Sequence, residues 1–191
     1  MYHIKQDKRS EASAELIGEA MLKLLGEKEF KHISITDLQK ESSVGRATFY
    51  RLFDHTEDVL EYLLKKQTDE YYNRYREIES NLRPPILKYA ITCYLKDYHL
   101  LEKIVRAGKI GIIFRVISSD MLWMADLIIG DDRMRKMEQR DVEYFCAMMT
   151  AEVVGVLETW LTRNKRETAE ELYEILRKHL EYSHYLYNAV Q

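Results

Sequence analysis

A short stretch near residue 50 combines polar and apolar residues in a way that suits contact with nucleic acid. Arg46 and Arg51 can donate hydrogen bonds to phosphates or to guanine, and the hydroxyl of Tyr50 can reach a phosphate. Thr48 is short and polar and Ala47 is small, so both allow a helix to approach a base edge closely. The apolar residues of the stretch fall on the opposite helical face and would anchor it: Phe49, Leu52 and Phe53.

Two short helices joined by a turn would position these side chains. The sequence SITD at 34–37 has the pattern of a capping box and predicts a helix that runs to about residue 41. The sequence SSV at 42–44 ends this helix with an apolar residue in the turn, and a second helix is predicted over 46–53. With a striped apolar helix over 10–27 before the pair, this order predicts a helix-turn-helix.

Helix starts offer further contacts with a DNA backbone, because free amides at a helix N-terminus attract phosphate. Ser34 and Thr36 begin the first short helix, and His55 and Thr56 begin a long helix that is predicted to reach about residue 80. We read the basic residues within 5–9 as a tail that can touch the flanking backbone. The predicted DNA-facing residues are therefore Ser34, Thr36, Gly45, Arg46, Ala47, Thr48, Tyr50, Arg51, His55 and Thr56.

The segment 35–53 resembles the DNA-binding head of the TetR/AcrR family of bacterial transcriptional regulators. The resemblance is strongest over VGRATFYRLF at 44–53, and Glu57 and Leu60 extend it. It implies a DNA-binding head followed by a divergent helical body that binds a ligand and dimerises. The sequence departs from the family pattern at Ser43, where glycine is usual, and further departures occur at Gly45, Ala47 and Thr56. If residue 43 is left-handed, serine costs about 1 kcal/mol relative to glycine.

The rest of the chain is also predicted to be helical, which gives an all-α fold of about nine helices. Only seven glycines and two prolines occur in 191 residues, and both prolines lie in the turn at 81–85. Further helices are predicted over 85–98, 99–107, 109–129, 133–163 and 167–187. We expect a helix-turn-helix domain over 1–56 and a ligand-binding and dimerisation domain over 57–191.

The last two predicted helices carry broad apolar stripes and are joined by a short link at 164–166. Such a hairpin can be core alone, or core together with a partner surface. Two hairpins from two chains make a four-helix bundle, so we expect a homodimer. The predicted interface residues are Met149, Val153, Val156, Trp160, Leu172, Ile175 and His179.

The body is rich in aromatic residues and methionine, which suits either a packed core or an apolar pocket. The family resemblance implies a cavity for a small-molecule effector, whose identity the residues do not give. The residues predicted to line it are Tyr71, Tyr75, Tyr94, Tyr98, Phe114, Trp123 and Met149.

Charge and motifs exclude several other classes. The net charge is −3, and residues 1–56 hold as many acidic as basic side chains, so charge alone does not indicate DNA. No phosphate-binding loop, dinucleotide fingerprint or hydrolase motif occurs, and we expect neither an enzyme nor a metal or cofactor site. Two cysteines and no apolar leader favour a reducing, cytoplasmic setting. Charges interrupt the apolar stretch 110–129, so we expect no membrane span.

These observations predict a dimeric, ligand-responsive transcriptional regulator on a palindromic operator, with repression as the usual mode of the family. One alternative is a protein of the same fold that has lost sequence-specific DNA binding and acts through a protein partner. The other is a helical small-molecule-binding protein without a role in transcription.

Overall fold

The computed structural model describes residues 2–5, 7–129 and 136–188, without the side chains of Ile129 and residues 180–188. The chain is 78% helical, and nine α-helices lie within the described residues, which confirms the predicted all-α fold. The helices are α1 Lys8–Glu27, α2 Ile35–Ser42, α3 Arg46–Leu52, α4 Thr56–Glu77, α5 Ile86–Lys96, α6 His99–Arg106, α7 Ile110–Ile129, α8 Gln139–Thr162 and α9 Ala169–Asn188. Residues 133–135, which were predicted to begin the eighth helix, lie outside the described residues.

The chain divides into two compact units, and the division does not follow the predicted boundary at residue 56. The first unit comprises Met1–Asp69 and His99–Ile113, and the second comprises Glu70–Tyr98 and Phe114–Gln191. The first half of α4 belongs with the predicted head because it packs on α1. A Cβ atom on Gly18 would lie only 2.9 Å from the side chain of Leu63. The boundary therefore falls inside α4 rather than before it.

The core of the first unit is built where α1, α2 and α3 meet one another. Each helix contributes an apolar stripe at helical spacing, and the buried residues include Ala14, Ile17, Met21, Leu38, Phe49 and Leu52. Charged pairs bridge the helices at the surface, such as Lys66 on α4 with Glu15 on α1 at 2.7 Å. The small head therefore holds α3 through burial of one face, which leaves the opposite face for contacts outside the chain.

In the second unit, α9 packs against both α5 and α8. The link between α8 and α9 turns through Asn164 and Lys165, which have φ values of 66° and 54°. The indole nitrogen of Trp160 donates to the carbonyl of Glu167 at 2.9 Å and holds the link against α8. The short link predicted at 164–166 thus joins two packed helices, as the hairpin interpretation requires.

Candidate nucleic-acid interface

The turn between α2 and α3 is built around a left-handed serine. Ser43 has φ 57° and ψ 16°, which ends α2 and redirects the chain. The neighbouring Ser42 hydroxyl donates to the carbonyl of Leu38 at 2.6 Å and accepts from the amide of Val44 at 3.2 Å. Val44 is 9% exposed, so the turn is anchored in the head. The left-handed conformation considered in the sequence analysis is therefore present.

α3 has an apolar buried face and a polar exposed face. Phe49 and Leu52 are each 1% exposed, and the ring of Phe49 lies 5.7 Å from that of Phe53. The predicted DNA-facing residues Arg46, Ala47, Tyr50 and Arg51 are exposed, and Thr48 is half-buried at the edge of that face. The two faces follow from the spacing of the apolar residues in the sequence, because residues three and four apart share a side of a helix.

Two of the exposed side chains on α3, those of Arg46 and Tyr50, form a pair. The Arg46 guanidinium donates to the hydroxyl of Tyr50 at 3.3 Å, and its central carbon lies 5.4 Å from the ring centroid. This pairing orders a long basic side chain before it meets a ligand, which lowers the entropy lost on binding. Gly45 precedes the helix and offers no side-chain cap, so the backbone at the start of α3 is open to approach.

At the start of α2, two backbone amides are occupied by the capping box. The Ser34 hydroxyl accepts from the amide of Asp37 at 3.2 Å, and the Asp37 carboxylate accepts from the amide and hydroxyl of Ser34 at 2.8 and 2.7 Å. These bonds, together with Lys28, hold the pKa of the Asp37 carboxyl well below its usual value. A carboxylate therefore stands beside Ser34, while Thr36 is exposed in the first turn.

The start of α4 is arranged in the same way. The buried carboxylate of Asp58 accepts from the amides of Asp54 and His55, both at 2.9 Å. The Thr56 hydroxyl donates to Glu57 at 3.2 Å, and His55 is exposed. The backbone amide of His55 is consequently not free for a phosphate, whereas its side chain is exposed.

The charge of the whole segment around α3 is negative. Residues 34–58 carry three basic side chains, Lys40, Arg46 and Arg51. They carry five acidic ones, Asp37, Glu41, Asp54, Glu57 and Asp58. Two of the three basic side chains of this segment lie on α3 itself, so the contacts that residues 34–58 make with DNA would depend on few cations.

The segment before α1 is ordered against the end of α3, which the sequence did not indicate. Tyr2 forms an isolated antiparallel bridge with Phe53, and the amide of His3 donates to the carbonyl of Leu52 at 2.8 Å. α1 begins at Lys8, and Asp7 caps this helix by accepting from the amide of Ser10. The predicted basic tail is therefore wrong from Lys8 onward, because those residues are helical.

The residues predicted for an effector pocket lie in the second unit, in more than one place. Tyr71 and Tyr94 are each 1% exposed and meet edge to face at 5.7 Å. The ring of Tyr75 lies 6.3 Å from that of Trp123, which also carries the Arg76 guanidinium at 4.2 Å.

The other three predicted pocket residues are placed differently from these two pairs. Tyr98 packs on Trp160 at 5.6 Å. Phe114 is 37% exposed and Met149 is 3% exposed. The structure thus brings together two pairs of the seven residues, and it leaves Tyr98, Phe114 and Met149 in other surroundings.

The residues predicted for a dimer interface divide between the core and the surface. The buried members, at 2–6% exposure, are Met149, Val153, Trp160 and Leu172. These four side chains pack within their own chain, and their assignment to an interface stays a prediction. Ile175 is 50% exposed, His179 is exposed and Val156 is half-buried.

An exposed face of α8 was missed by the sequence analysis, and we call it the outer face of α8. It consists of Tyr144, Met148, Ala151, Gly155 and Thr159, at spacings of three or four residues. Tyr144 is 66% and Met148 is 57% exposed. The signal was present as a second stripe beside the buried one, and only the small residues in it concealed its extent.

A groove of about 460 Å³ continues this face between α8 and α9. Its lining includes Val156, Trp160, Leu172, Ile175 and His179 from the predicted interface. Two acidic side chains also line the groove, Glu152 and Glu167. Glu152 lies 3.4 Å from the ring of His179, and one buried oxygen of each carboxylate has no hydrogen bond to the described residues. The groove is therefore mainly apolar, and it holds two carboxylate oxygens that accept no hydrogen bond from the described residues.

Two features of the described residues bear on other functions. No group of three His, Cys, Asp or Glu side chains that could hold a metal ion comes together among them. One helix in the described part of the chain, α8, is long and apolar enough to cross a membrane by length and composition, although core helices of soluble proteins meet the same criterion.

Comparison with known proteins supports the fold. Neither models of protein families nor the sequences of curated proteins give a match. Among solved structures, the crystal structure of Lin0861 from Listeria innocua is similar, with a TM-score of 0.72 and 18% sequence identity over 94% of this chain and 95% of that chain. At this identity the similarity shows a shared helical fold alone.

Proposed function

We propose that the chain is a transcriptional regulator of the TetR/AcrR type that binds DNA through α3. One observation carries the proposal: α3 follows a left-handed turn and presents Arg46, Tyr50 and Arg51 outward while Phe49 and Leu52 anchor its other face. A helix held in this way can enter a major groove, where an arginine at its start can bind guanine in a bidentate manner. The similarity to Lin0861 supports the helical fold on which the proposal rests.

The regulator works as a homodimer in this proposal, and the outer face of α8 with the adjoining groove is the surface that pairs. The face is apolar and exposed, and an added Cβ on Gly155 would meet nothing within 4 Å, so a second helix has room to approach. A second copy would also supply polar groups near the buried oxygens of Glu152 and Glu167. Two-fold pairing would present two copies of α3 to half-sites about one DNA turn apart.

A small-molecule effector that binds the second unit completes the proposal. In the aromatic cluster around Trp123, Tyr72 at 5.3 Å and Tyr75 at 6.3 Å are buried, while Trp123 is half-buried and offers a ring surface on which an apolar ligand can stack. For such an effector to release DNA, it must bind the DNA-incompetent form of the dimer more tightly, because equal affinity for both forms shifts nothing.

A second candidate function is favoured by the acidic groups in the head. Asp37 and Asp58 place carboxylates at the two helix starts where a phosphate could bind, and the segment 34–58 holds more acidic than basic side chains. A protein of this fold that has given up sequence-specific DNA binding would use the same exposed surface of α3 to dock a protein partner. The two candidate functions differ in the partner that the head binds, which is DNA in the first and a protein in the second.

Selection from random duplexes distinguishes these functions. The full chain is incubated with a pool of random double-stranded DNA at low salt, and retained molecules are sequenced over repeated rounds. We expect an enriched palindrome with half-sites about one turn apart. No enrichment by a folded dimer would contradict DNA recognition and favour the protein-partner function. Sedimentation on the same sample supplies the oligomeric state, so a failure to dimerise is recognised separately.

A further inference from the structure

The segment Tyr2–Ile4 lies along the exit of α3. Tyr2 and Phe53 form an antiparallel bridge, and the amide of His3 donates to the carbonyl of Leu52 at 2.8 Å. Leu52 is the last residue of α3, and carbonyls at the end of a helix have no partner within that helix. The segment therefore supplies a hydrogen bond that α3 cannot make for itself.

Side chains of the same segment join α3 to α4. The ring nitrogen Nε2 of His3 lies 3.2 Å from Oδ2 of Asp54, just beyond the end of α3. The ring of Tyr2 meets the ring of Tyr62 on α4 edge to face at 5.9 Å, and Phe53 lies 5.8 Å from the same ring. Three aromatic rings thus connect the segment, the end of α3 and the first half of α4.

α3 needs such support because it is short. It has seven residues, about two turns, and isolated helices of this length are not stable in water. Asp58 of α4 holds the chain just after α3 by accepting from the amides of Asp54 and His55. The segment Tyr2–Ile4 holds the last turn itself by its bond to Leu52 and its bridge to Phe53. The end of α3 is fixed by both.

We propose that Tyr2–Ile4 is a positioning strap that fixes α3 in the orientation in which its basic residues face outward. The strap does not itself contact the ligand of the head. Its effect on DNA rests on the proposed function, whereas its effect on the order of α3 does not. Removing the strap leaves the core of α1, α2 and α3 in place and loosens the exit of α3.

The test removes the hydrogen bonds of His3 and measures the order of α3. His3→Pro deletes both the amide that bonds Leu52 and the ring that lies beside Asp54, and proline is tolerated in an extended edge segment. Lys5→Pro is the matched control, since Lys5 is exposed and precedes α1. Hydrogen exchange of the full chain should become about fivefold faster for the amides of 49–53 in His3→Pro, with the amides of α1 unchanged. Unchanged exchange over 49–53 would overturn the strap, whether or not DNA binds.

Side-chain variants separate positioning from general stability. Tyr2→Ala removes the ring that meets Tyr62, whereas Tyr2→Phe keeps the ring, so the first should accelerate exchange over 49–53 and the second should not. With a duplex selected by the unaltered chain, His3→Pro should bind about fivefold more weakly, while His3→Gln keeps a donor for Asp54 and should restore affinity. Equal affinity of His3→Pro and the unaltered chain would overturn the role in recognition. Failure of the unaltered chain to bind any duplex contradicts the proposed function, and the exchange measurement still decides the strap.

Discussion

Replacing Ser43 by glycine should stabilise the protein, because Ser43 holds the left-handed turn between α2 and α3. Its φ of 57° and ψ of 16° cost an L-residue about 1–2 kcal/mol, a cost that glycine does not bear. Glycine in turn loses more entropy on folding, by up to about 1 kcal/mol. The serine side chain is exposed and makes no hydrogen bond to the described residues, so its removal loses no contact. The expected net gain is about 0.5–1 kcal/mol in the free energy of unfolding.

Urea unfolding followed by circular dichroism measures this gain as a shift of the midpoint at constant slope. A chain of 191 residues should also melt about 1–4 °C higher. Ser43→Ala is the matched control, because alanine keeps the strain of the left-handed backbone and should give no gain. A Ser43→Gly variant that is no more stable than the unaltered chain would refute the claim that the left-handed backbone at Ser43 is strained. So would a gain of the same size in Ser43→Ala.

Three further predictions concern the head and the outer face of α8. Arg46→Ala should weaken binding to a selected duplex by about 1–3 kcal/mol in fluorescence anisotropy, and Lys96→Ala, which removes one exposed charge elsewhere, should not; equal effects would mean that only net charge matters. Gly155→Arg should give a folded monomer by sedimentation because a Cβ added there meets nothing within 4 Å in its own chain, while Gly26→Arg, equally open at Cβ, should leave the dimer intact; a dimeric Gly155→Arg would move the interface elsewhere. The pKa of the Asp37 carboxyl is lowered by Ser34, so its contribution to stability is present above about pH 4 and lost in acid. Asp37→Asn should therefore be less stable at pH 7 and lose less on acidification, and an unchanged pH dependence of urea unfolding would contradict this.

Much of the fold could be predicted because the deciding interactions are local. The capping box at 34–37, the left-handed Ser43 and the apolar face of α3 depend on residues within a few positions of one another. The break at 81–85 follows from two adjacent prolines in the same way. The element bounds agree to within a few residues for this reason.

What could not be predicted depends on contacts between distant residues. The bond from His3 to Leu52 and the packing of Leu63 on Gly18 leave no periodic signal in the sequence, so the strap and the boundary inside α4 were missed. Burial was also ambiguous on α8. Its two apolar stripes look alike in sequence, and only packing assigns Met149 to the core and Met148 to the surface.

The sequence also did not predict in full which groups bond to the capping carboxylates at the starts of α2 and α4. The sequence showed that Asp37 can cap α2 but not that its carboxylate takes up the Ser34 hydroxyl, and the role of Asp58 at α4 was not recognised. Capping carboxylates and phosphates compete for the same amides. We accordingly expect fewer contacts with DNA than the ten predicted DNA-facing residues would make, and the main ones from Arg46 and Arg51.

The salt dependence of affinity for a selected duplex is the most direct measurement of DNA recognition by α3. Two exposed arginines on each of two copies of α3 give at most four contacts with phosphate from this helix. The logarithm of the association constant should therefore fall against the logarithm of salt concentration with a slope of about −2 to −4. Arg51→Ala should make the slope shallower. A folded dimer that binds no duplex at low salt, or binds with no salt dependence, would contradict the proposed role of α3.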